Sequence, residues 1–199
     1  MFDAMNQEPP NPPPTAAPPP PPTGSRSWFA THGRDLRFLI IFAVLMGGYY
    51  LLTTTNPMKT RFFPWYLRLN AQLAAGTLNA FGYDGVEAKS TALTSKHGSI
   101  SVERGCDAVE PTALFAAAVL ASPMAFGTKL PAVAVGALFL AAVNVIRIIS
   151  LFLSAAHWKP AFDILHLDVW QAVFIFLALL LWLTWVSWAG KRQKRLARV

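Results

Sequence analysis

The sequence contains little charge and only one cysteine. Charged residues make up 14% of its 199 residues, whereas soluble domains carry about 25%, which argues against a cytosolic globular enzyme. The single thiol, Cys106, excludes a framework of intrachain disulfides. Most of the chain cannot be disordered either, because 54% of its residues are hydrophobic and such a composition does not stay solvated. These absences indicate a small membrane protein.

The basic residues that are present do not indicate a nucleic-acid-binding protein. A net charge of +7 and an isoelectric point near 9.9 would suit such a partner. However, the basic residues cluster at the edges of apolar blocks, which is typical of membrane proteins. We therefore expect the lipid bilayer, and no nucleic acid, as a partner.

The N-terminal region differs in composition from the rest. Ten of the sixteen prolines lie between Pro9 and Pro22 without an apolar period, which predicts a disordered cytoplasmic tail over residues 1–27. A ligand for a proline-recognising partner is the alternative. Residues 28–190 are expected to form the membrane-embedded domain, and residues 191–199 a basic cytoplasmic tail.

Four stretches are apolar enough to cross a bilayer, which needs about 20 residues. Only the third contains a charge, Arg147. The sequence predicts an all-α, polytopic bundle of about four transmembrane spans: Phe38–Thr55, Pro111 to just before Lys129, Ala132–Ser154 and Val169–Ala189.

The distribution of basic residues predicts the orientation of these spans. Five basic residues follow the last span, whereas Lys159 alone precedes it, so the C-terminus should be cytoplasmic. Four crossings then place the N-terminus in the cytoplasm too. Residues 56–110 and 155–168 should face outward from the inner membrane.

The first outward segment has structure of its own. Apolar residues recur at helical spacing between Trp65 and Phe81, interrupted by polar ones, which predicts an interfacial amphipathic helix; they are Leu69, Leu73, Thr77, Ala80 and Phe81. Val86–Leu93 and Ser99–Val102 predict a small outer-face β-hairpin around a turn at Ser95–Gly98. This hairpin would deliver the chain to Cys106.

Cys106 should lie just before a helix, because Pro111 suits a first helical turn. The partial positive charge of that helix end, together with Arg104, would favour the thiolate. Asp107 and Glu110 oppose it unless they face away. The alternative is that the thiol is a small buried hydrophobe.

Arg147 is a stronger indication of function. A charge inside a span costs about 2.5–3.5 kcal/mol on insertion scales. Asn144 lies one helical turn earlier, so two polar groups should face the bundle interior, where a guanidinium could bind a carbonyl oxygen or a carboxylate. Snorkelling of Arg147 to the headgroups is the alternative.

Two histidines, His157 and His166, lie on the same predicted side of the membrane as Cys106 and Arg147. Either could simply be an interfacial residue. A thiol, a base and a fixed cation are nevertheless the parts that acyl transfer requires.

Three stretches resemble the Cys, Arg and His blocks of the exosortase/archaeosortase family, in order and separation. They are Val102–Glu110, Asn144–Ile148 and Leu165–Leu167. The resemblance covers roughly residues 38–189, and the short length and the surroundings of Glu110 and Trp170–Gln171 are most similar to the exosortase H type. One departure is Ala108, where the family commonly has a glycine.

The resemblance implies a membrane cysteine transpeptidase that cleaves C-terminal sorting signals of secreted proteins through a thioester. It implies Cys106 as nucleophile, Arg147 as oxyanion or substrate stabiliser and His166 as general acid/base, with His157 as the rival base. Asn144, Glu110 and Arg104 are further candidate supporting residues. The implied substrates are membrane-anchored proteins whose tail has a short motif, one transmembrane helix and a basic cluster; the acceptor nucleophile is not identified by these residues.

Two other functions remain open from the sequence. Arg147 and Asn144 could pair inside a non-catalytic scaffold or assembly factor, or the enzyme could be a purely hydrolytic cysteine protease. No metal cluster, phosphate loop or dinucleotide fingerprint is evident, so neither a metal nor another cofactor is expected.

Overall fold

The computed structural model describes residues 28–96 and 98–196. The tail over residues 1–27, His97 of the predicted turn and residues 197–199 lie outside this description. Within the described ranges, helices and a small sheet alternate along the chain: α1 (Trp28–Thr54), a π-helical turn (Met58–Phe62), α2 (Phe63–Ala80), β1 (Glu87–Lys89), β2 (Ala92–Ser95), β3 (Gly98–Ser101), α3 (Val109–Ala121), α4 (Phe126–His157), α5 (Lys159–Ile164), a second π-helical turn (Leu165–Val169) and α6 (Trp170–Leu196).

The predicted fold class, a mostly α-helical polytopic membrane bundle, is confirmed. Three helical segments in the described part of the chain are long and apolar enough to cross a membrane: His32–Thr54, α4 and α6. The second predicted span differs, because it forms the 13-residue helix α3. At 1.5 Å per residue α3 is about 20 Å long, shorter than the roughly 30 Å hydrocarbon core.

Local sequence explains why α3 is short. It starts after Ala108, whose backbone is left-handed with φ +55°, and it stops at Ser122, whose ψ of 142° is extended. Pro123 follows Ser122, and a residue before proline avoids the helical conformation. The helix therefore cannot continue into the remainder of the predicted span.

Helix α3 still returns the chain to the end of the bundle where α4 begins. The Lys129 ammonium donates a 2.7 Å hydrogen bond to the carbonyl of Leu120, at the far end of α3. A Cβ at Gly136 of α4 would meet the ring of Phe115 of α3. The two helices therefore run side by side in opposite directions, and α3 is paired with the first half of α4.

The amphipathic helix predicted between Trp65 and Phe81 is α2, but its buried face differs from the predicted apolar stripe. Leu73 and Phe81 of that stripe are exposed. The buried residues of α2 are Phe63, Leu67, Asn70, Ala71, Ala74, Ala75 and Leu78. The three alanines among them allow the helix axis to approach its neighbours closely.

The predicted hairpin is a three-stranded antiparallel sheet. The first predicted strand, Val86–Leu93, is split into β1 and β2 because the chain turns at Ser90, where φ is +60°. The strand order β1–β2–β3 leaves β3 at one edge. Buried Val86 and Leu93 belong to one apolar cluster with α2 and the C-terminal half of α4.

A second apolar cluster lies between α3, α4 and α6, around Phe115, Leu140 and Phe174. Cys106 belongs to the first cluster and Ala108 to the second. The short turn that carries the thiol therefore lies where the two cores meet, and packing from both sides fixes its position.

Candidate active site

The turn that carries Cys106 is built from unusual backbone conformations. Gly105 has φ +93° and Ala108 has φ +55°, and the Cys106 amide donates a 3.0 Å bond to the carbonyl of Glu103. The Asp107 carboxylate accepts a 3.2 Å bond from the Val109 amide, which satisfies one of the free donors at the start of α3. Cys106 is only 7% exposed, so the turn holds its sulfur inside the protein.

Arg147 reaches this turn from the middle of α4. Its Nη1 donates a 3.0 Å hydrogen bond to the carbonyl of Gly105, and its Nη2 lies 3.8 Å from Cys106 Sγ. The guanidinium carbon lies 5.5 Å from the centre of the Phe174 ring. Because Arg147 is only 3% exposed, the snorkelling alternative is wrong, and the side chain faces the bundle interior.

His166 lies close to the same sulfur. Its Nδ1 lies 3.5 Å and its Nε2 3.9 Å from Cys106 Sγ. The histidine belongs to the π-helical turn Leu165–Val169, a type of distortion that often occurs at functional sites. Its ring stacks on Phe162 at a centroid distance of 5.4 Å, which orients the imidazole.

His157, the rival base, lies elsewhere. It is exposed at the end of α4, where its Nδ1 is 3.0 Å from the carbonyl oxygen of Leu153. Its ring contacts Tyr83 edge-on at 6.1 Å. The histidine that the fold brings to the thiol is therefore His166.

Burial raises the pKa of the Cys106 thiol, and Asp107 and Glu103 raise it further, while the Arg147 guanidinium lowers it. The net direction is upward, so the expectation of a favoured thiolate is wrong. Burial is the main cause, and neither of the two expected sources of positive charge offsets it. Helix α3 begins only at Val109, three residues after the sulfur, and Arg104 is directed to the ring of Phe63, 4.2 Å away. The resting group is a neutral thiol, which needs a base to become a nucleophile.

Asn144 takes part in a buried amide pair with Asn70. The sequence predicted a buried role for Asn144 but not for Asn70. Asn144 is fully buried, and its Nδ2 donates a 3.0 Å bond to Oδ1 of Asn70 on α2. Asn70 in turn donates to the carbonyl of Tyr66 at 2.9 Å. In the sequence, Asn70 is one of the polar residues that interrupt the apolar ones between Trp65 and Phe81, which predicts a position on the polar face of the amphipathic helix. Its spacing from Leu67 and Ala74 on one helical face was the signal that could have found it.

Glu110, the remaining supporting candidate, joins two helices. The hydroxyl of Tyr50 on α1 donates a hydrogen bond to the Glu110 carboxylate, and Glu110 is itself exposed. Glu110 therefore ties α1 to the start of α3. Arg104, which packs on Phe63, also lies at the rim of the cavity that contains the thiol.

That cavity has a volume of about 730 Å³. Its walls are strand β3 and a small set of side chains: Glu103, Arg104, Cys106, Ala155, Phe162 and His166. Within the described ranges, no group of three or more His, Cys, Asp or Glu residues could hold a metal ion. The thiol and the imidazole line this cavity, and the buried Arg147 guanidinium lies 3.8 Å from the sulfur. Together they can supply a nucleophile, a proton acceptor and an oxyanion ligand.

Comparison with known proteins agrees with this chemistry at the level of the family. Residues 25–183 match the family model described as transmembrane exosortase. No curated protein and no solved structure matches the chain. The matched range includes Cys106, Arg147 and His166.

Proposed function

The chain belongs to the transmembrane exosortase family, and on that premise we propose that it is a membrane cysteine transpeptidase acting on C-terminal sorting signals. One observation carries the proposal. Cys106 and His166 line one cavity, where Cys106 Sγ lies 3.5 Å from His166 Nδ1, and the buried Arg147 guanidinium lies beside the thiol, with Nη2 3.8 Å from the sulfur. A scaffold that used Arg147 only for internal pairing would not require a histidine at the thiol.

In the proposed reaction, His166 takes the proton of Cys106, and the sulfur attacks the carbonyl carbon of the scissile peptide bond. The electron pair of the carbonyl moves to its oxygen, which Arg147 stabilises. When the C–N bond breaks, His166 returns the proton to the leaving amine. The passenger protein is then bound to Cys106 as a thioester, and an acceptor nucleophile attacks this ester and releases the thiol.

The proposed substrate is a secreted protein whose tail has a short motif, one membrane-spanning helix and a basic cluster. The tail helix would lie in the bilayer beside the three spanning segments. We further propose that the short helix α3 returns the chain to the cytoplasmic end of α4, so that both termini are cytoplasmic, and that the Cys106 cavity opens on the outer face of the inner membrane. The exposed basic residues at the end of α6 support this orientation.

Co-expression with a tagged reporter that carries such a tail tests the catalytic role. Cys106→Ala should abolish processing, and Arg147→Ala should reduce it roughly 10²–10³-fold, the usual effect of losing an oxyanion ligand. His166→Ala should also remove most activity, because the pKa of Cys106 is raised. His157→Ala is the matched histidine control and should process the reporter as the wild type does. Processing that survives Cys106→Ala would contradict the proposal.

Mass spectrometry of the new C-terminus separates transfer from hydrolysis. Transfer predicts a passenger whose terminal carboxyl group is joined to an acceptor. A free carboxylate on all of the product would mean that water resolves the thioester, so the enzyme would be a protease.

A further inference from the structure

Strand β3 is an edge strand, and its edge forms a wall of the candidate active site. The sheet order β1–β2–β3 gives β3 one strand neighbour only. All four of its residues, Gly98–Ser101, line the cavity that contains Cys106 and His166. The edge strand therefore borders the cavity that contains the reactive thiol.

The register identifies which backbone groups of β3 face the cavity. Val102 donates its amide to the carbonyl of Thr91 at 2.8 Å, and the strand pairing places Ile100 opposite Leu93 and Gly98 opposite Ser95. In an antiparallel ladder the bonded residues alternate. The N–H and C=O groups of Ser99 and Ser101 therefore point away from β2, and within the described residues no hydrogen bond occupies them.

We propose that this edge of β3 binds the extended segment that precedes the membrane helix of the substrate tail, as an added β-strand. The inference rests on the function proposed above. Main-chain pairing at Ser99 and Ser101 would hold the segment without reading its side chains. It would also lay the scissile bond across the cavity toward Cys106.

The two edges of the sheet contrast in a way that supports this assignment. Proteins protect exposed strand edges with charges or proline. The opposite edge, β1, carries Glu87 and Lys89, which form an exposed ion pair at 3.1 Å. Strand β3 has the sequence Gly-Ser-Ile-Ser, with neither charge nor proline. Ala155, which also lines the cavity, is small, so an incoming backbone can approach.

The fold also assigns a direction to the added strand. Gly98 lies beside Ala156, near the end of α4. Cys106 lies beside Arg147, which precedes Ala156 by nine residues, or about 13 Å along the helix. Strand β3 therefore runs from the end of α4 toward the site. A tail that enters the membrane from outside runs the same way, so the pairing is parallel.

Disulfide crosslinking tests the proposal without any need for catalysis. Cys106→Ala removes the only cysteine of the chain. Ser99→Cys or Ser101→Cys is then added and combined with single cysteines scanned through the ten residues before the membrane helix of the reporter. Because strand side chains alternate between faces, every second reporter position should crosslink. Ser99→Cys should react about two positions closer to the reporter's N-terminus than Ser101→Cys.

Lys89→Cys, on the opposite edge of the sheet, is the matched control and should give at least tenfold less crosslinked product. Crosslinking without a two-residue period, in reversed order, or as strong at Lys89→Cys would overturn the proposal. If wild-type enzyme processes the reporter but this pattern is absent, the β3 inference fails and the proposed function stands. If the pattern is present without processing, the edge binds the tail and the transpeptidase assignment fails.

Discussion

Arg147 is buried at a position where an unsupported guanidinium would be strongly destabilising. Its hydrogen bond to the Gly105 carbonyl and its contact with the Phe174 ring offset part of that penalty. The neutral thiol of Cys106 contributes no compensating negative charge in the resting protein, where Asp107 is a nearby carboxyl group that interacts with the guanidinium. Negative charge that develops at the cavity during acyl transfer would therefore meet a cation that is already in place and needs no reorganisation.

Two substitutions should move the Cys106 pKa in opposite directions. Asp107→Asn removes a charge that raises this pKa, so alkylation of the thiol should begin at lower pH. Arg147→Ala removes the charge that lowers the pKa, so alkylation should need higher pH. The measurement is the pH dependence of iodoacetamide labelling, with Cys106→Ala as the blank. Shifts in the same direction would contradict the described electrostatics.

The raised pKa also has a consequence for stability. Folding disfavours the thiolate, so the contribution of this group is fully present below the pKa of the unfolded thiol. It is lost as the pH rises through the higher folded value. The thermal midpoint of the wild type should therefore fall more steeply at alkaline pH than that of Cys106→Ala. A parallel decline in the two proteins would contradict this assignment.

Ala108 occupies a left-handed backbone position for which glycine is better suited. Ala108→Gly removes a strain of about 1–2 kcal/mol, offset in part by the greater freedom of glycine in the unfolded chain. We expect a gain of up to about 1 kcal/mol, or roughly 2–4 °C in midpoint for a chain of this size. Ala118→Gly, inside α3, should instead lose about 1 kcal/mol. A lower midpoint for Ala108→Gly would show that the position is not strained.

At the residue scale, the sequence predicted the cluster better than its protonation state. Cys106, Arg147 and His166 were each named from motif order and predicted topology, and the fold brings them together. The predicted direction of the shift in the Cys106 pKa is wrong, because the burial that raises this pKa depends on the packing of elements that are distant in the chain. The pairing of Asn70 with Asn144 was missed because the two residues lie 74 positions apart in the chain, and no local pattern links two amides on different helices.

At the scale of elements, the contact between α3 and α4 depends on Gly136. A methyl group there would overlap the ring of Phe115, which is buried. Gly136→Ala should therefore lower the free energy of unfolding by about 1–3 kcal/mol, the usual effect of overpacking. Thermal unfolding in detergent measures the change. Adding Phe115→Leu to Gly136→Ala should recover part of the loss.

The matched control for that substitution is Gly76→Ala in α2. Apart from the adjacent residues and the nearby backbone of α2 itself, no atom lies within 4 Å of a Cβ added at Gly76, so this change should be neutral or stabilising by about 0.5–1 kcal/mol. Equal destabilisation by both substitutions would mean that helix packing at Gly136 is not the cause.

The element boundaries show where sequence patterns were insufficient. Hydropathy located α4 and α6 well, because long apolar helices have a strong signal. It overestimated the length of α3, because a hydropathy pattern contains no information about the left-handed backbone at Ala108 or the helix end before Pro123. Periodicity identified α2 as a helix but chose Leu73 and Phe81 as its inner face. When apolar residues lie on two faces of a helix, their periodicity does not identify which face is buried.

At the scale of the whole molecule, the single cysteine makes the orientation in the membrane testable. We expect β3 on the outer side and the end of α6 in the cytoplasm. In the Cys106→Ala background, Ser99→Cys should react with a membrane-impermeant maleimide in intact spheroplasts. Gln193→Cys, exposed near the end of α6, should react only after permeabilisation. The reverse pattern would overturn the proposed topology.

The central claim is that Cys106 forms a thioester with the cleaved passenger inside the cavity it shares with His166, beside the buried Arg147. The most direct measurement is mass spectrometry of the Cys106 peptide after co-expression with the tagged reporter. The account predicts a passenger joined to this peptide and released by neutral hydroxylamine as a hydroxamate, and no adduct with Cys106→Ala. A reporter that is still cleaved by Cys106→Ala, with no adduct on the wild-type peptide, would contradict it.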